Sequence, residues 1–278
     1  MRALKKCSIE GIMRSLLYKS LLYGAVAILA GALLLPIIVV LISSFGNAQY
    51  LQFPPQGFSI QWYERFLDDD SWRLAIFQSF KIAALSCIIA TATGFCAAYG
   101  LVRGKFRFKR TVLALLILPL AVPNVISAIS IYYVSAPMLL VGNTLWLSVC
   151  HATMSIPLVL LILLSSMQGI DLNLERAALS MGASVGRTIW KVVVPLMAPG
   201  IISSMLFSFL ASFDELIISL FLTGVGTETL PVKVWNSLLL QIEPTIAAVS
   251  AFFVAVTLIV LIVDWAVKHL RTPSVVSG

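Results

Sequence analysis

Six long apolar runs constrain this chain more than any other feature of its sequence. They cover about 20–43, 74–102, 112–135, 144–165, 200–222 and 246–267. Because the hydrocarbon core of a bilayer is about 30 Å thick, a helix needs about 20 apolar residues to cross it. Only 11% of the residues are charged, against about 25% in soluble domains. The sequence therefore predicts an all-α, polytopic membrane protein with six transmembrane helices.

The positions of the basic residues predict the orientation of these helices. Cytoplasmic loops of membrane proteins carry an excess of Lys and Arg. Six crossings leave both ends of the chain on one side, and fifteen of the nineteen basic residues fall on that side, against three on the other. We therefore expect both termini in the cytoplasm, and the net charge of +7 reports topology rather than binding to nucleic acid.

This topology gives a simple organisation along the chain. Residues 1–19 form a basic cytoplasmic tail, 20–43 the first transmembrane helix, and 44–73 a loop on the opposite side. A core of five helices follows over 74–270, and 271–278 form a second cytoplasmic tail. Within the core, 166–199 is the longest cytoplasmic connection.

Several kinds of chemistry are not expected. The four Cys residues have no plausible partners in exposed loops, and His151 and His269 lie too far apart in sequence to suggest a metal site. No G-x-x-x-x-G-K-[ST] run is present to hold nucleotide phosphates. An intramembrane enzyme would need a nucleophile with a base or a metal, and His151 alone is more typical of a packed, hydrogen-bonded residue. We expect no catalysis and no cofactor in this chain.

The cytoplasmic loop reads as two short helices. Asp171 suits the N-terminus of the first, Glu175 its first turn, and Gly182 its end. The second is expected to run from Ser184 toward Pro195. Small residues on the first helix would let the surface of another protein approach its backbone.

The amino-acid sequence of this loop resembles that of a known protein family. ERAALSMGAS followed by VVVPL resembles the EAA loop of binding-protein-dependent ABC importer permeases, which docks an ATPase. Ala177, Ala178, Gly182 and Pro195 fall on the positions of that motif. Arg176 stands where the family has an acidic residue, and Glu175 precedes it. The resemblance implies that these residues couple the chain to the ATPase, with the acidic contact either shifted or made by Glu175.

The resemblance extends over almost the whole chain and implies the partners. QSFKIAALSCIIATATGFCAAYGLVRGKF, from Gln78, is similar to the start of the MetI-like permease core. A protein of this kind resides in the bacterial inner membrane, with its 44–73 loop in the periplasm. It pairs with a second homologous permease subunit, identical or different, and with a dimer of ATP-binding subunits that use ATP and Mg. A periplasmic solute-binding protein delivers the ligand.

Two segments, one at the end of the fifth run and one after it, indicate the substrate. SFDELIISLFLTG and TLPVKVW resemble the subunits of spermidine/putrescine importers, in which Ser212, Asp214 and Glu215 would bear on substrate passage. Ionisable groups inside a span are costly and usually face a cavity or a partner. The alternative is a hydrogen-bonded acid with a structural role. Lys81 and Asp264 lie near span ends, where snorkelling explains a charge.

Two alternatives remain open from the sequence. Polyamine permeases tend to have an acid after the second Pro of the third span, where this chain has Asn124, so an opine, an amino acid derivative or 2-aminoethylphosphonate also fits. A secondary transporter that works without ATP would predict an inverted repeat with broken helices in matching halves. The first three and last three spans show no such similarity.

Overall fold

The structure is a computed structural model that describes residues 2–50, 52–240 and 244–271, with side chains over 18–50, 52–240 and 244–269. This part of the chain is helical apart from turns and one isolated bridge between Gly46 and Phe58, so the all-α prediction is confirmed. Five helices are long and apolar enough to cross a membrane: Tyr18–Ser43, Asp70–Arg103, Thr144–Gln168, Val185–Phe213 and Thr245–His269. Most of the second predicted tail, 272–278, lies outside the described residues.

The chain divides into two compact units, and the smaller one contains residues 1–65 and 242–251. Its first helix is α1 (Arg2–Ser43). This helix includes most of residues 1–19, the predicted basic tail. The loop after it folds back on itself, since Ser59 N donates to Phe45 O at 2.7 Å and the hydroxyls of Ser44 and Tyr63 are 2.7 Å apart. A short helix, α2 (Gln61–Asp68), follows.

The larger unit, 66–241 with 252–278, carries the functional elements. In chain order these are α3 (Asp70–Arg103), α4 (Lys109–Ile117), a 3₁₀ turn (Leu118–Ala121), α5 (Asn124–Ser135), α6 (Thr144–Gln168), α7 (Leu172–Ser180), α8 (Val185–Thr188), a π turn (Ile189–Val193), α9 (Val194–Phe213), α10 (Ile217–Leu222) and α11 (Leu230–Leu240). The last helix, α12 (Thr245–Arg271), belongs to both units. Helices α3, α6 and α9 pack on one another and form the centre of the unit.

Small residues let these three helices approach closely. A Cβ added to Gly94 of α3 would lie 2.6 Å from Val159 Cγ1 of α6, and one added to Gly200 of α9 would lie 2.6 Å from Ser166 Cβ of α6. In a bilayer, where lipid tails are as apolar as Leu, helices associate through such van der Waals contact rather than through the hydrophobic effect. Glycine therefore sets the spacing at both helix pairs.

The third predicted span is two helices bent by 101° between Lys109–Ala121 and Asn124–Ser135. Gln78 near the start of α3 donates to Gly226 O at 3.0 Å, so α3 begins beside the turn that follows α10. Five residues separate the end of α3 from the start of α4, at the opposite end of the bundle. Gly142, beyond α5, donates from its N–H to Leu222 O at 2.8 Å, back beside that same turn. The bent pair therefore crosses the bundle and counts as one span.

Two predicted spans are thus not single helices. The run 112–135 is interrupted between Pro119 and Pro123, each of which removes a backbone donor. The run 200–222 is interrupted at 214–216, between α9 and α10. Both runs still count as crossings, because apolar length reports a crossing but not the continuity of the helix.

The second predicted loop helix also differs from its expected form. Instead of ending near Pro195, it continues from Val185 to Phe213 as one long helix, and the connecting loop shrinks from 166–199 to 169–184. Pro195 has no N–H, and the helix widens just before it into the π turn, where Val194 N donates to Ile189 O. The proline distorts the helix but does not stop it.

We expect Gly94→Ala to lower the melting temperature of the purified protein in detergent, because overpacking against the buried Val159 costs about 1–3 kcal/mol. Gly100→Ala in the same helix is the matched control. A Cβ there meets nothing within 4 Å, so helix propensity alone should stabilise the protein by up to about 1 kcal/mol. Val159→Ala should rescue Gly94→Ala. Equal stabilisation by both Gly variants would refute close packing at Gly94.

Candidate functional site

A cavity of about 260 Å³ lies where the two broken spans meet α6. Its polar lining comes from Asn124, His151, Ser155 and Glu215, and the rest of its wall is mostly apolar. Asn124 is the first residue of α5, and Glu215 lies between α9 and α10. Broken helices inside a membrane are tolerated where their backbone is covered by protein or lines a water-filled cavity. Both breaks therefore contribute a polar side chain to one cavity.

Glu215 has a structural role at the second break. Its Oε1 accepts from the backbone N–H groups of Ile217 at 3.0 Å and Ile218 at 3.1 Å. These are unsatisfied amides at the start of α10, so the carboxylate caps that helix. Oε2 makes no hydrogen bond within the described part of the chain. The same side chain thus holds the break in place and lines the cavity.

His151 joins α6 to both sides of this break. Its Nδ1 is 2.8 Å from Ser212 Oγ in the last turn of α9, and its Nε2 is 3.1 Å from Ser219 Oγ in α10. The side chain is 1% exposed. A neutral imidazole has one donor and one acceptor nitrogen, and a hydroxyl can match either. The expectation of a packed, hydrogen-bonded His is met, but the sequence did not reveal which two elements it connects.

The other predicted pathway residues lie at different places around the break. Ser212 is buried against His151, whereas Asn124 is exposed at the cavity. Asp214 follows the last residue of α9 and is exposed, outside the cavity lining. The structure therefore brings Asn124, Ser212 and Glu215 together around His151 and leaves Asp214 on the outer surface of the break.

The two remaining intramembrane charges differ from each other. Asp264 of α12 accepts from Ser203 Oγ of α9 and from Lys268 Nζ at 2.6 Å, so it ties α12 to α9. Lys81 is exposed on α3 and has no carboxylate within 4 Å among the described residues. Neither residue lines the cavity.

A second candidate site is the loop around α7. Asp171 caps α7 as predicted, accepting from Asn173 N at 2.9 Å. Gly182 has φ +86°, a left-handed conformation that glycine adopts at no steric cost. The N–H of Ala183 bonds to Ala178 O and that of Gly182 to Leu179 O, the paired bonds of a Schellman ending. The predicted helix boundaries are thus confirmed at both ends.

An ion pair attaches α7 to the end of α3. Arg103 Nε donates to Glu175 Oε1 at 2.7 Å, and Arg103 Nη2 donates to Ile170 O at 3.1 Å. Both side chains are largely buried, with 13% and 6% of their surfaces exposed. Glu175 therefore points into its own chain, away from the surface that another protein could reach. The sequence offered no signal for this pairing.

The remaining predicted coupling residues divide by exposure. Ala178 is buried beside Glu175, whereas Arg176, Ala177 and Gly182 are exposed, as is Pro195 at the start of α9. Large apolar side chains are exposed in the same region: Met181 is 83% exposed and Trp190 73% exposed. The outward side of α7 thus has a small residue, a cation and uncovered apolar neighbours.

We expect Ser219→Ala to destabilise the purified protein by about 1–3 kcal/mol, because it leaves buried His151 Nε2 without a partner. Ser130→Ala is the control, since that hydroxyl is exposed and bonds to Ile126 O in its own helix. In a double-mutant cycle with His151→Leu, the combined loss should fall short of the sum of the single losses. Additive losses would show that the two residues do not interact.

Comparisons with known proteins agree with this architecture. The family described as binding-protein-dependent transport system inner membrane component matches residues 89–272. The spermidine/putrescine transport system permease protein PotC of Haemophilus influenzae is 30% identical over 235 residues, 84% of this chain and 90% of that protein. The putrescine transport system permease protein PotI of Escherichia coli is 31% identical over 239 residues, 83% of this chain and 84% of that protein.

A solved structure gives the same fold at lower identity. A bacterial ABC transporter involved in the import of the acidic polysaccharide alginate aligns with a TM-score of 0.70 and 17% identity, covering 92% of this chain and 97% of that one. The resemblance to the permease core of this family is thereby confirmed. The chain belongs to the family of binding-protein-dependent transport system inner membrane components, and it is a permease of an ABC importer.

Proposed function

We propose that the cavity between the two helix breaks is this permease's part of a translocation pathway for a small polyamine, spermidine or putrescine. The observation that carries the proposal is the presence of Glu215 in that cavity, beside the exposed Asp214. Two relatives that match most of the chain are named for spermidine and putrescine transport. Carboxylates at this place suit a substrate that carries positive charge.

The exposure of Asp214 supports the same conclusion. A charged side chain facing lipid near the bilayer centre costs about 2.5–3.5 kcal/mol on insertion scales, so such groups usually face a partner or water. Asp214 is exposed in the isolated chain. It would be accommodated if a second permease subunit packs beside this break and the two chains enclose a wet pathway. Asp214 and Glu215 would then attract the cation from either side of the break.

Asn124 favours a second candidate substrate. It is the only polar side chain that the first break contributes to the cavity, and it is neutral. With fewer negative charges, the cavity also suits an opine, an amino acid derivative or 2-aminoethylphosphonate, each of which has a cationic amine and an anionic group. The importer mechanism is the same for these ligands.

Transport would be driven from the loop around α7. We infer that the outward side of α7, with Ala177 and Arg176, docks one of two ATP-binding subunits, which hold ATP and Mg and carry out the hydrolysis. Ala177 is small enough for close approach, and Met181 offers apolar area. The pair Arg103–Glu175 would pass movements of α7 to α3. Arg176 reverses the charge expected there, so its partner surface should be acidic or neutral.

The same assignment gives an orientation. Both termini and the α7 loop lie in the cytoplasm, and 44–73 and the turn after α10 lie in the periplasm, where a solute-binding protein delivers the ligand. The count of fifteen basic residues against three supports this orientation. A secondary transporter would have breaks in corresponding positions of its two halves. The breaks here occur in the third and fifth spans, which do not correspond, and membership of an ABC importer family argues against that mechanism.

We expect Asp214→Asn and Glu215→Gln to lower ATP-dependent spermidine uptake by proteoliposomes on the order of tenfold each, if each lost charge removes about one kcal/mol or more of attraction. Glutamine keeps an oxygen to cap α10, so assembly should be retained. Asp70→Asn is the matched control, since Asp70 pairs with Arg73 at the exposed start of α3.

The outcome also distinguishes the substrates. Normal spermidine uptake by the assembled double variant would overturn the polyamine proposal. Uptake of an amino acid derivative or 2-aminoethylphosphonate, with no uptake of spermidine by the wild type, would favour the second candidate.

For the coupling loop, we expect Ala177→Asp to abolish co-purification of the ATP-binding subunit while leaving the melting temperature of the isolated permease unchanged. Ala177 is exposed, so the added charge meets only the docking partner. Ala178→Asp should behave differently and lower stability, because Ala178 is 7% exposed and the new charge would be buried beside Glu175. Retained ATPase binding in Ala177→Asp would contradict docking on this side of α7.

A further inference from the structure

A second cavity, of about 330 Å³, lies at the end of the bundle where α3 and α6 finish and α4 begins. We call it the basic groove. Its walls include Leu101 and Val102 of α3, Leu113 of α4 and Leu164 of α6, and its cations are Lys109 and Arg110. The cations occupy the first turn of α4, and Leu113 and Leu164 lie about one turn deeper in the bundle. The groove is therefore apolar inside and cationic at its end.

Most charges at this end have no acidic partner in the described part of the chain. Arg103 pairs with Glu175, but Lys105, Arg107, Lys109 and Arg110 have no carboxylate within 4 Å among the described residues. No Asp or Glu occurs anywhere between Asp70 and Asp171. The loop 103–110 thus offers a site for an external anion.

The start of α4 adds hydrogen-bond donors to this charge. Phe108 precedes α4 and makes no side-chain capping bond, so the first amides of this nine-residue helix have no side-chain acceptor. Helix N-termini favour anions such as phosphate. Phe106 and Phe108 are 44% and 67% exposed, as aromatic residues at a membrane interface commonly are.

We propose that the basic groove binds one anionic phospholipid from the membrane leaflet at this end of the bundle. Its phosphate would lie between Lys109, Arg110 and the start of α4, and one acyl chain would lie along Leu113 and Leu164. A soluble anion would use the cations but leave the apolar walls exposed, and a neutral lipid would leave the cations unpaired. Only an anionic lipid matches both parts of the groove.

Such a lipid would contact the same loop that holds the coupling helix. Arg103 begins the loop and binds Glu175 of α7, and Lys109 and Arg110 end it. A lipid bound at one end of this loop would restrict its movement. The proposal does not depend on the substrate or on the ATPase, and it is tested without transport.

The test measures lipid bound to the purified permease in mild detergent by native mass spectrometry, with phosphatidylglycerol and phosphatidylcholine added in equal amounts. We expect the wild type to retain phosphatidylglycerol in preference to phosphatidylcholine. Lys109→Gln with Arg110→Gln should weaken this retention on the order of tenfold, given the contribution of each basic residue near an anionic lipid surface. Lys105→Gln with Arg107→Gln is the matched control, with the same change in charge outside the groove.

A third variant tests the apolar half of the site. Leu113→Trp should fill the groove and lower lipid retention while both cations remain. Equal losses in the two double variants would overturn the proposal in favour of general surface charge. Retention of phosphatidylcholine as strongly as phosphatidylglycerol, or unchanged retention in Leu113→Trp, would also overturn it.

Discussion

A helix that breaks inside a bilayer must find partners for its freed polar groups within the protein, because lipid offers none. This constraint organises the larger unit. At the break after α9, the carboxylate of Glu215 caps the start of α10. His151 of α6 hydrogen-bonds to Ser212 before the break and to Ser219 after it. The break before α5 faces the same cavity. A polar cavity and a stable broken helix are here consequences of the same side chains.

The close packing of α3, α6 and α9 provides the rigid frame that this arrangement needs. Gly94 and Gly200 bring their helices against α6, and α6 carries His151 to the break. The frame also extends to the end of the bundle that we propose to be cytoplasmic. Helix α3 ends there at Arg103, which binds Glu175 of α7. Helix α3 thus connects the loop around α7 with the packed centre. A movement of α7 has a direct mechanical route to the helices around the cavity.

Much of this architecture follows from local sequence. Apolar run length gave the six crossings, and Asp171 and Gly182 gave the bounds of α7, because caps and left-handed turns depend on one or two residues. The EAA-like motif marked the loop around α7, which we propose as the docking site of the ATP-binding subunit. The prolines of the third span and the acidic pair Asp214 and Glu215 are visible in the sequence and mark the two breaks, but apolar run length alone does not show that the helices break there.

The rest depends on contacts between distant residues, which local patterns do not encode. Glu175 had the appearance of a dipole-favoured residue in a first turn, but it is bound by Arg103 from 72 positions earlier. His151 bridges residues 61 and 68 positions away. Ala178 could not be distinguished from Ala177 until the burial of α7 was known. In each case the identity of the residue was visible and its partner was not.

The π turn before Pro195 has a consequence for how such permeases diversify. A π turn contains one residue more than an α-helical turn, and each residue advances a helix by about 100°. Helix α8, before the π turn, is therefore out of phase with α9. Gain or loss of one residue at this point would rotate the exposed loop surface while leaving the register of Gly200 and Ser203 with their neighbours intact. The widened turn would let the exposed surface of this loop vary independently of the packing of α9 against its neighbours.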